Sequence, residues 1–189
     1  MSELVKGKII ILNGVSSAGK STLAKTLQDR LSTPYFHMDV DVFCLMAPEK
    51  FGIDGNYSVQ WEFVSNMFHA VKLFSDMGFN LVVPCIFLEY DENADFLKKC
   101  VTLLHSYPVL FAHVKCPIEE LRRRENKRGD RKIGDSEDML SALVPKDIYD
   151  IEVDTYNFSV EECADKIIEL LDYPEKLTAF KTLWSLHTK

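Results

Sequence analysis

The residues "KIIILN" run directly into "GVSSAGKST", Gly14 to Thr22, and then into "LAKTLQDRL". A short apolar run bounded by turn residues predicts a strand buried on both faces, as in a parallel sheet. Leu23, Leu27 and Leu31 recur at helical spacing, and Pro34 ends that helix. Strand, glycine-containing loop and helix therefore follow one another within a few residues. The loop reads Gly14-x-x-x-x-Gly19-Lys20-Ser21, with Val15, Ser16, Ser17 and Ala18 inside it and Thr22 after it. This spacing suits a phosphate cradle. Glycines let the backbone curl so that successive N–H groups point inward, and the following helix adds the positive end of its dipole. Lys20 is a mobile point charge for the β- and γ-phosphates, and Ser21 offers a hydroxyl to Mg²⁺. The expectation is a nucleotide site at Gly14 to Thr22, with ATP as donor.

Further along, strands are expected in "YFHMDVDVF", "FNLVVPCIFL", "PVLFAHVKC" and "DIYDIEVDT". Helices are expected between them. One is "VQWEFVSNMFHAVKLFSDMG", with Trp61, Val64, Phe68, Val71 and Phe74 on one face. Others are "ENADFLKKCVTLL", the start of "PIEELRRRENKRGDRKIGDS", "EDMLSALV" and "SVEECADKIIELL". The last opens with a Ser159/Glu162 capping box. This alternation predicts an α/β fold: a five-stranded parallel sheet with helices on both faces, in one domain spanning 1–189. Pro84 within the third strand implies that pairing stops near it. The tail about 174–187 is expected to be an amphipathic helix whose Leu177, Phe180, Leu183 and Trp184 pack on the domain.

The chain of 189 residues carries a formal net charge of -7. That balance disfavours non-specific nucleic-acid or anionic-membrane binding. No apolar run approaches the ~20 residues of a membrane span, and "MSELVKGK" has no signal-peptide pattern, so a cytoplasmic location is expected. The five cysteines are scattered with no C-x-x-C pair, which predicts reduced, mostly buried thiols. The five histidines show no ligand spacing and are expected to be structural.

Ligands of open α/β sheets bind beyond the carboxyl ends of the strands. Read as a strand, "MDVDVF" puts Asp39 and Asp41 on one face at that edge. Asp41 is expected to take the proton of an attacking hydroxyl, with Asp39 nearer the metal. Downstream, "RRRENKRGDRK" forms a basic lid, about 122–137. Arg124, Arg128 and Arg131 are expected to close over the phosphates, with Gly129 as hinge. Arg122 and Arg123 are read as a solvated face paired with Glu119, Glu120 or Glu125. An acceptor wall is expected from Phe43, Met46, Phe51, Tyr57 and Trp61.

With these residues in view, the chain resembles the chloramphenicol phosphotransferase-like family of P-loop kinases. The resemblance runs from "IIILNGVSSAGKST" through the "VD" at Val40–Asp41, "CPIEELRRRENKRGDR" and "YDIEVDT" to "ECADKIIELL". It implies a nucleoside-kinase-like fold and ATP- and Mg²⁺-dependent phosphorylation of a hydroxyl on a small molecule. It also implies that Asp41 is the catalytic aspartate, with Lys20, Arg128 and Arg131 acting on the phosphates. The chain departs from the family at the end of the third strand, where an aspartate gives way to "LVVPC". It departs again before "YD", where a histidine is absent and Val144 stands nearby. The alternatives are a nucleoside, nucleotide or sugar-nucleotide kinase, and an ATP-binding switch without transferase activity. The oligomeric state is left open.

Overall fold

The computed structural model describes residues 5–46, 63, 64, 66–89, 95–128 and 134–188, with Arg128 and Asp135 as backbone only. The strands are β1 (Ile9–Asn13), β2 (Tyr35–His37), β3 (Asn80–Cys85), β4 (Val109–Lys115) and β5 (Ile151–Asp154). All pairs are parallel, in the order β2-β3-β1-β4-β5. The described helices are α1 (Lys20–Arg30), α2 (Val40–Leu45), α3 (Met67–Asp76), α4 (Phe96–Leu104), α5 (Ile118–Arg128), α6 (Asp135–Ala142), α7 (Val160–Leu170) and α8 (Ala179–His187). The fold is α/β, with helices on both faces of a five-stranded parallel sheet. Among the described residues no helix is long and apolar enough to cross a membrane.

The pleat of β1 divides the interior. Ile10 and Leu12 face a core completed by Leu23, Leu27, Leu110, Ala112, Cys163 and Ile167, beneath α1 and α7. Ile9 and Ile11 face the opposite core of Phe68, Val71, Val101, Leu104, Phe111 and Phe180, beneath α3, α4 and α8. Because β1 is covered on both sides, all five of its residues are buried. The Ser159/Glu162 capping box is formed in full. The five cysteines are free thiols, four of them buried.

Pro84 sits within β3, in register with Leu12 of β1. Leu81 N donates to Lys8 O on the β1 side, so by alternation the nitrogen of Pro84 faces the β2 side. Pairing there has already ended at His37, and Met38 N makes the last bond, to Val82 O. Pro84 therefore removes no ladder hydrogen bond. Pairing with β2 ends at Val82, and pairing with β1 runs on through Pro84 to Cys85.

Some expected elements are shorter. β5 begins at Ile151, although Asp150 N still donates to Phe111 O of β4 (2.9 Å). Of the long third-helix pattern, Trp61 lies outside the described residues, Val64, Phe68 and Val71 are buried, and Phe74 is exposed, resting on Phe79. The C-terminal helix packs as expected through Phe180 and Leu183, while Trp184 stays at the rim and stacks on His105. Asp150 fixes this helix. Its carboxylate accepts from Thr178 N (2.7 Å), Ala179 N (2.8 Å) and Phe111 N (2.8 Å), joining the start of α8 to β4. Burial pushes this carboxyl above its ordinary range against the pull of the three N–H groups.

Asp150→Ala leaves three backbone donors without their acceptor. The expected loss is about 2–4 kcal/mol, read as a fall of about 5–15 °C in Tm with far-UV circular dichroism unchanged at low temperature. A Tm within about 2 °C of the parent would show that this carboxylate does not hold α8 in place.

Candidate nucleotide and acceptor cleft

β1 ends at Asn13, whose buried side chain gathers the neighbouring segments. Its Nδ2 donates to Val144 O (2.8 Å) and Tyr149 Oη (2.9 Å), and its Oδ1 accepts from Phe87 N (3.0 Å). Next, Gly14 passes so close to β4 that a β-carbon would lie 2.5 Å from Val114 O. The loop then turns through Ser17 (φ 60) and Gly19 (φ 95), both left-handed. Gly19 is the N-cap of α1 and offers no side chain to the N–H groups of its first turn. Lys20 Nζ curls back to Gly14 O (2.7 Å) and Val15 O (2.9 Å), and Ser17 Oγ is buried without a hydrogen-bond partner. A curled backbone, an unpartnered hydroxyl and a lysine folded over its own loop together fit a phosphate chain.

The loop floors a cleft of about 630 Å³. Ser16, Ser17, Gly19, Lys20, Ser21 and Thr22 line its centre. On the β2/β3 side stand Asp39, Val40, Asp41, Pro84, Cys85 and Ile86. Toward α5 and β5 stand Arg123, Arg124, Lys127 and Thr155. The sheet order causes this division. β1 has β3 on one side and β4 on the other, so the crevice opens at the point where the chain reverses direction across the sheet.

Asp39 and Asp41 reach the cleft by a different route from the expected strand alternation. β2 ends at His37, and Asp39 is the N-cap of α2. Asp39 Oδ1 accepts from Asp41 N at 2.9 Å. The "DVDVF" pattern satisfies strand alternation, but an aspartate able to cap a helix start overrides it. Burial alone would raise the Asp39 carboxyl; His37, Asp41 N and Lys20 outweigh it and hold the group below its ordinary range.

The basic segment also differs from a mobile lid through much of its expected span. Residues 122–128 belong to the regular helix α5, and α6 begins at Asp135. Arg124 braces the phosphate loop at the cleft edge: its guanidinium donates to Ser17 O (3.2 Å), Thr155 Oγ1 (3.1 Å), Thr155 O (2.9 Å) and Glu120 (2.8 Å). Arg123 pairs with Glu120, and Arg122 with Glu137 rather than with the acids of its own helix. Hydrogen bonds from Arg123 and then Arg124 lower Glu120 to about 2. The Arg128 side chain, Gly129 and Arg131 lie outside the described residues, as do Phe51, Tyr57 and Trp61 of the expected acceptor wall. Of the remaining wall residues, Met46 is exposed and Phe43 packs toward Phe63, so neither lines the cleft.

Three supports escaped the sequence reading. Thr155 Oγ donates to Ala18 O at 2.7 Å, and its place at the carboxyl end of β5 was the available clue. Glu125, expected on a solvated face, is buried, accepting from Gly134 N (2.9 Å), Ser136 N (2.9 Å) and Ser136 Oγ. Ser136 Oγ also lies 2.9 Å from Ser16 O, which ties α6 to the phosphate loop. Among the described residues no three His, Cys, Asp or Glu side chains form a metal cluster. The Ser21 hydroxyl and the Asp39 and Asp41 carboxylates line the cleft, and oxygen donors of this kind are what Mg²⁺ takes beside the phosphates of a nucleotide.

The model of the family described as "Chloramphenicol phosphotransferase-like protein" matches residues 7–172. A Mycobacterium tuberculosis protein named "Putative O-phosphotransferase" is 27% identical over 193 residues, covering 89% of this chain and 84% of its own. An adenylyl-sulfate kinase of Clostridium acetobutylicum is 26% identical over 184 residues, with 88% and 84% covered. The solved APS kinase of Mycobacterium tuberculosis, in complex with AMPPNP and APS, superposes with a TM-score of 0.64 at 20% identity. That superposition covers 88% of this chain and 98% of that one.

Thr155→Val removes the hydroxyl that links Ala18 O to Arg124. ATP affinity is expected to weaken by about 5–30-fold in titration calorimetry, equivalent to one or two lost hydrogen bonds. Unchanged affinity would mean that the loop holds its shape without this brace.

Proposed function

The chain belongs to the chloramphenicol phosphotransferase-like family, and from that premise we propose that it transfers the γ-phosphoryl group of ATP to a hydroxyl of a small, uncharged molecule. A kinase of the P-loop type needs three things in one cleft: a phosphate cradle, a base for the acceptor proton, and charge stabilisation for the transferred group. The observation that carries the reading is how charge is divided about the loop. Apart from Lys20, the cleft-lining cations Arg123, Arg124 and Lys127 stand on the α5 side. The side bearing Asp39 and Asp41 is otherwise lined by Val40, Pro84, Cys85 and Ile86. A neutral alcohol suits that wall; an anionic acceptor would meet two carboxylates and, among the described residues, no cation beyond Lys20.

In this reading Asp41 accepts the hydroxyl proton as the acceptor oxygen bonds to the γ-phosphorus. The bond from that phosphorus to the β–γ bridging oxygen breaks, and ADP departs with the electron pair. Lys20 turns from the loop carbonyls to the phosphates, and the loop amides hold them in line. Ser21 offers its hydroxyl to Mg²⁺, which supplies neutralisation of phosphate charge when bound. Arg128 and Arg131 are assigned to the transferring phosphoryl from the family pattern.

Label from γ-labelled ATP is expected in a neutral hydroxyl compound from a panel that includes chloramphenicol, and not in adenylyl sulfate. Transfer to adenylyl sulfate alone would overturn the neutral-acceptor reading. Asp41→Asn is expected to lower transfer by about 10²–10⁴-fold with ATP affinity within about threefold, and normal turnover would remove it as the base. Lys20→Ala is expected to weaken ATP binding itself, and chelation of Mg²⁺ to stop transfer.

A further inference from the structure

We infer that Asp39 is a positioning residue, a helix cap that aims Asp41 at the acceptor, and not a ligand of the metal. The inference rests on the reading of Asp41 as the base. Both oxygens of Asp39 already face protein groups. Oδ1 accepts from Asp41 N at 2.9 Å, and Oδ2 lies 3.4 Å from His37 Nε2. The carboxylate is mostly shielded, with its side chain 16% exposed. The backbone at Asp39 (φ -97, ψ 137) is extended, as an N-cap requires, and β2 ends at His37, with Met38 between the two.

The helix it caps needs that restraint. α2 has six residues, none of them buried, and Val40, Phe43 and Cys44 only rest against the neighbouring core. A helix this short does not hold itself in water, and its packing here is thin. Asp41 lies in its first turn, so the direction of its side chain follows the direction of that turn. The bond from Asp39 is made to the backbone of Asp41 itself. His37 Nε2, at the last residue of β2, approaches the other oxygen at 3.4 Å without a hydrogen bond. The chain of contacts runs from β2 through His37 and Asp39 to the backbone of Asp41, and it replaces the expectation that Asp39 serves the metal.

Capping and metal binding make opposite demands on the residue. Asn and Ser cap about as well as Asp, whereas Ala does not. A metal ligand needs the carboxylate charge, which Asn and Ser lack. The probes are Asp39→Asn, Asp39→Ser and Asp39→Ala, read by amide hydrogen exchange, by ATP titration with and without Mg²⁺, and by MgATP turnover with water as acceptor. Exchange at the amides of residues 41–45 is expected to rise about 5–30-fold in Asp39→Ala and to return toward the parent rate with Asn or Ser. MgATP affinity is expected to stay within about threefold in all three, while turnover falls about 10–100-fold in Asp39→Ala at unchanged KM and recovers with Asn and Ser. The inference is overturned if Asp39→Asn weakens MgATP by about tenfold or more and spares metal-free ATP, or if exchange in Asp39→Ala is unchanged. Should Asp39→Ala fail to fold, the Asn and Ser variants decide between the two roles. Asp41→Asn in the same assay reports the base alone: normal turnover there would remove the base while the exchange data still decide the cap.

Discussion

Gly14 sits where a β-carbon would fall 2.5 Å from the carbonyl oxygen of Val114. That approach brings the end of β1 against β4 and starts the curl of the loop. Everything in the cleft depends on it. The left-handed turns at Ser17 and Gly19 follow from the same curl, and they set the first turn of α1 at the carboxyl edge of the sheet. A β1 strand buried on both faces cannot shift to relieve a clash there, because Ile9, Ile10, Ile11 and Leu12 are locked into two cores. The loop is therefore shaped by the sheet beneath it.

The loop is braced by groups on separate elements. Thr155 holds Ala18, Arg124 holds Ser17, and Ser136 holds Ser16. Glu125 ties Ser136 and Gly134 to α5, so the segments flanking the basic stretch are anchored to the loop they would serve. These contacts meet carbonyl oxygens of the loop. Such bracing supports electrostatic preorganisation, since donors already in place need not reorganise when charge develops. The strand order then puts the acids on one side of the loop and most of the cations on the other. A neutral-acceptor kinase can use that separation; in the proposed reading the carboxylate beside the acceptor meets a proton and not a second anion.

Much of this could be read along the chain. The "IIILN" run, the glycine spacing and the leucine period of α1 report local requirements, and each was recovered in place. The Ser159/Glu162 box was equally legible, because a cap and its partner lie three residues apart. Asp39 and Asp41 were located at the right edge but with the wrong geometry. Their alternation fits a strand, and only the end of β2 at His37 makes Asp39 a cap. Glu125 was misread as a solvated acid because its partners, Gly134 and Ser136, lie across a turn of chain whose path the charge pattern does not reveal. Pro84 looked like the end of a strand, yet it costs no pairing because the neighbour on its nitrogen side has already stopped.

The sequence by itself determined the α/β alternation, the phosphate loop and the family, because these are written in short-range spacing and in the steric freedom of a few residues. The tertiary structure decided how the cleft is divided, which arginines brace the loop, and that Asp39 caps a helix. Those outcomes depend on strand order and on contacts between residues such as Arg124 and Ser17, which are distant in the chain and are brought together only when β1 is enclosed between β3 and β4.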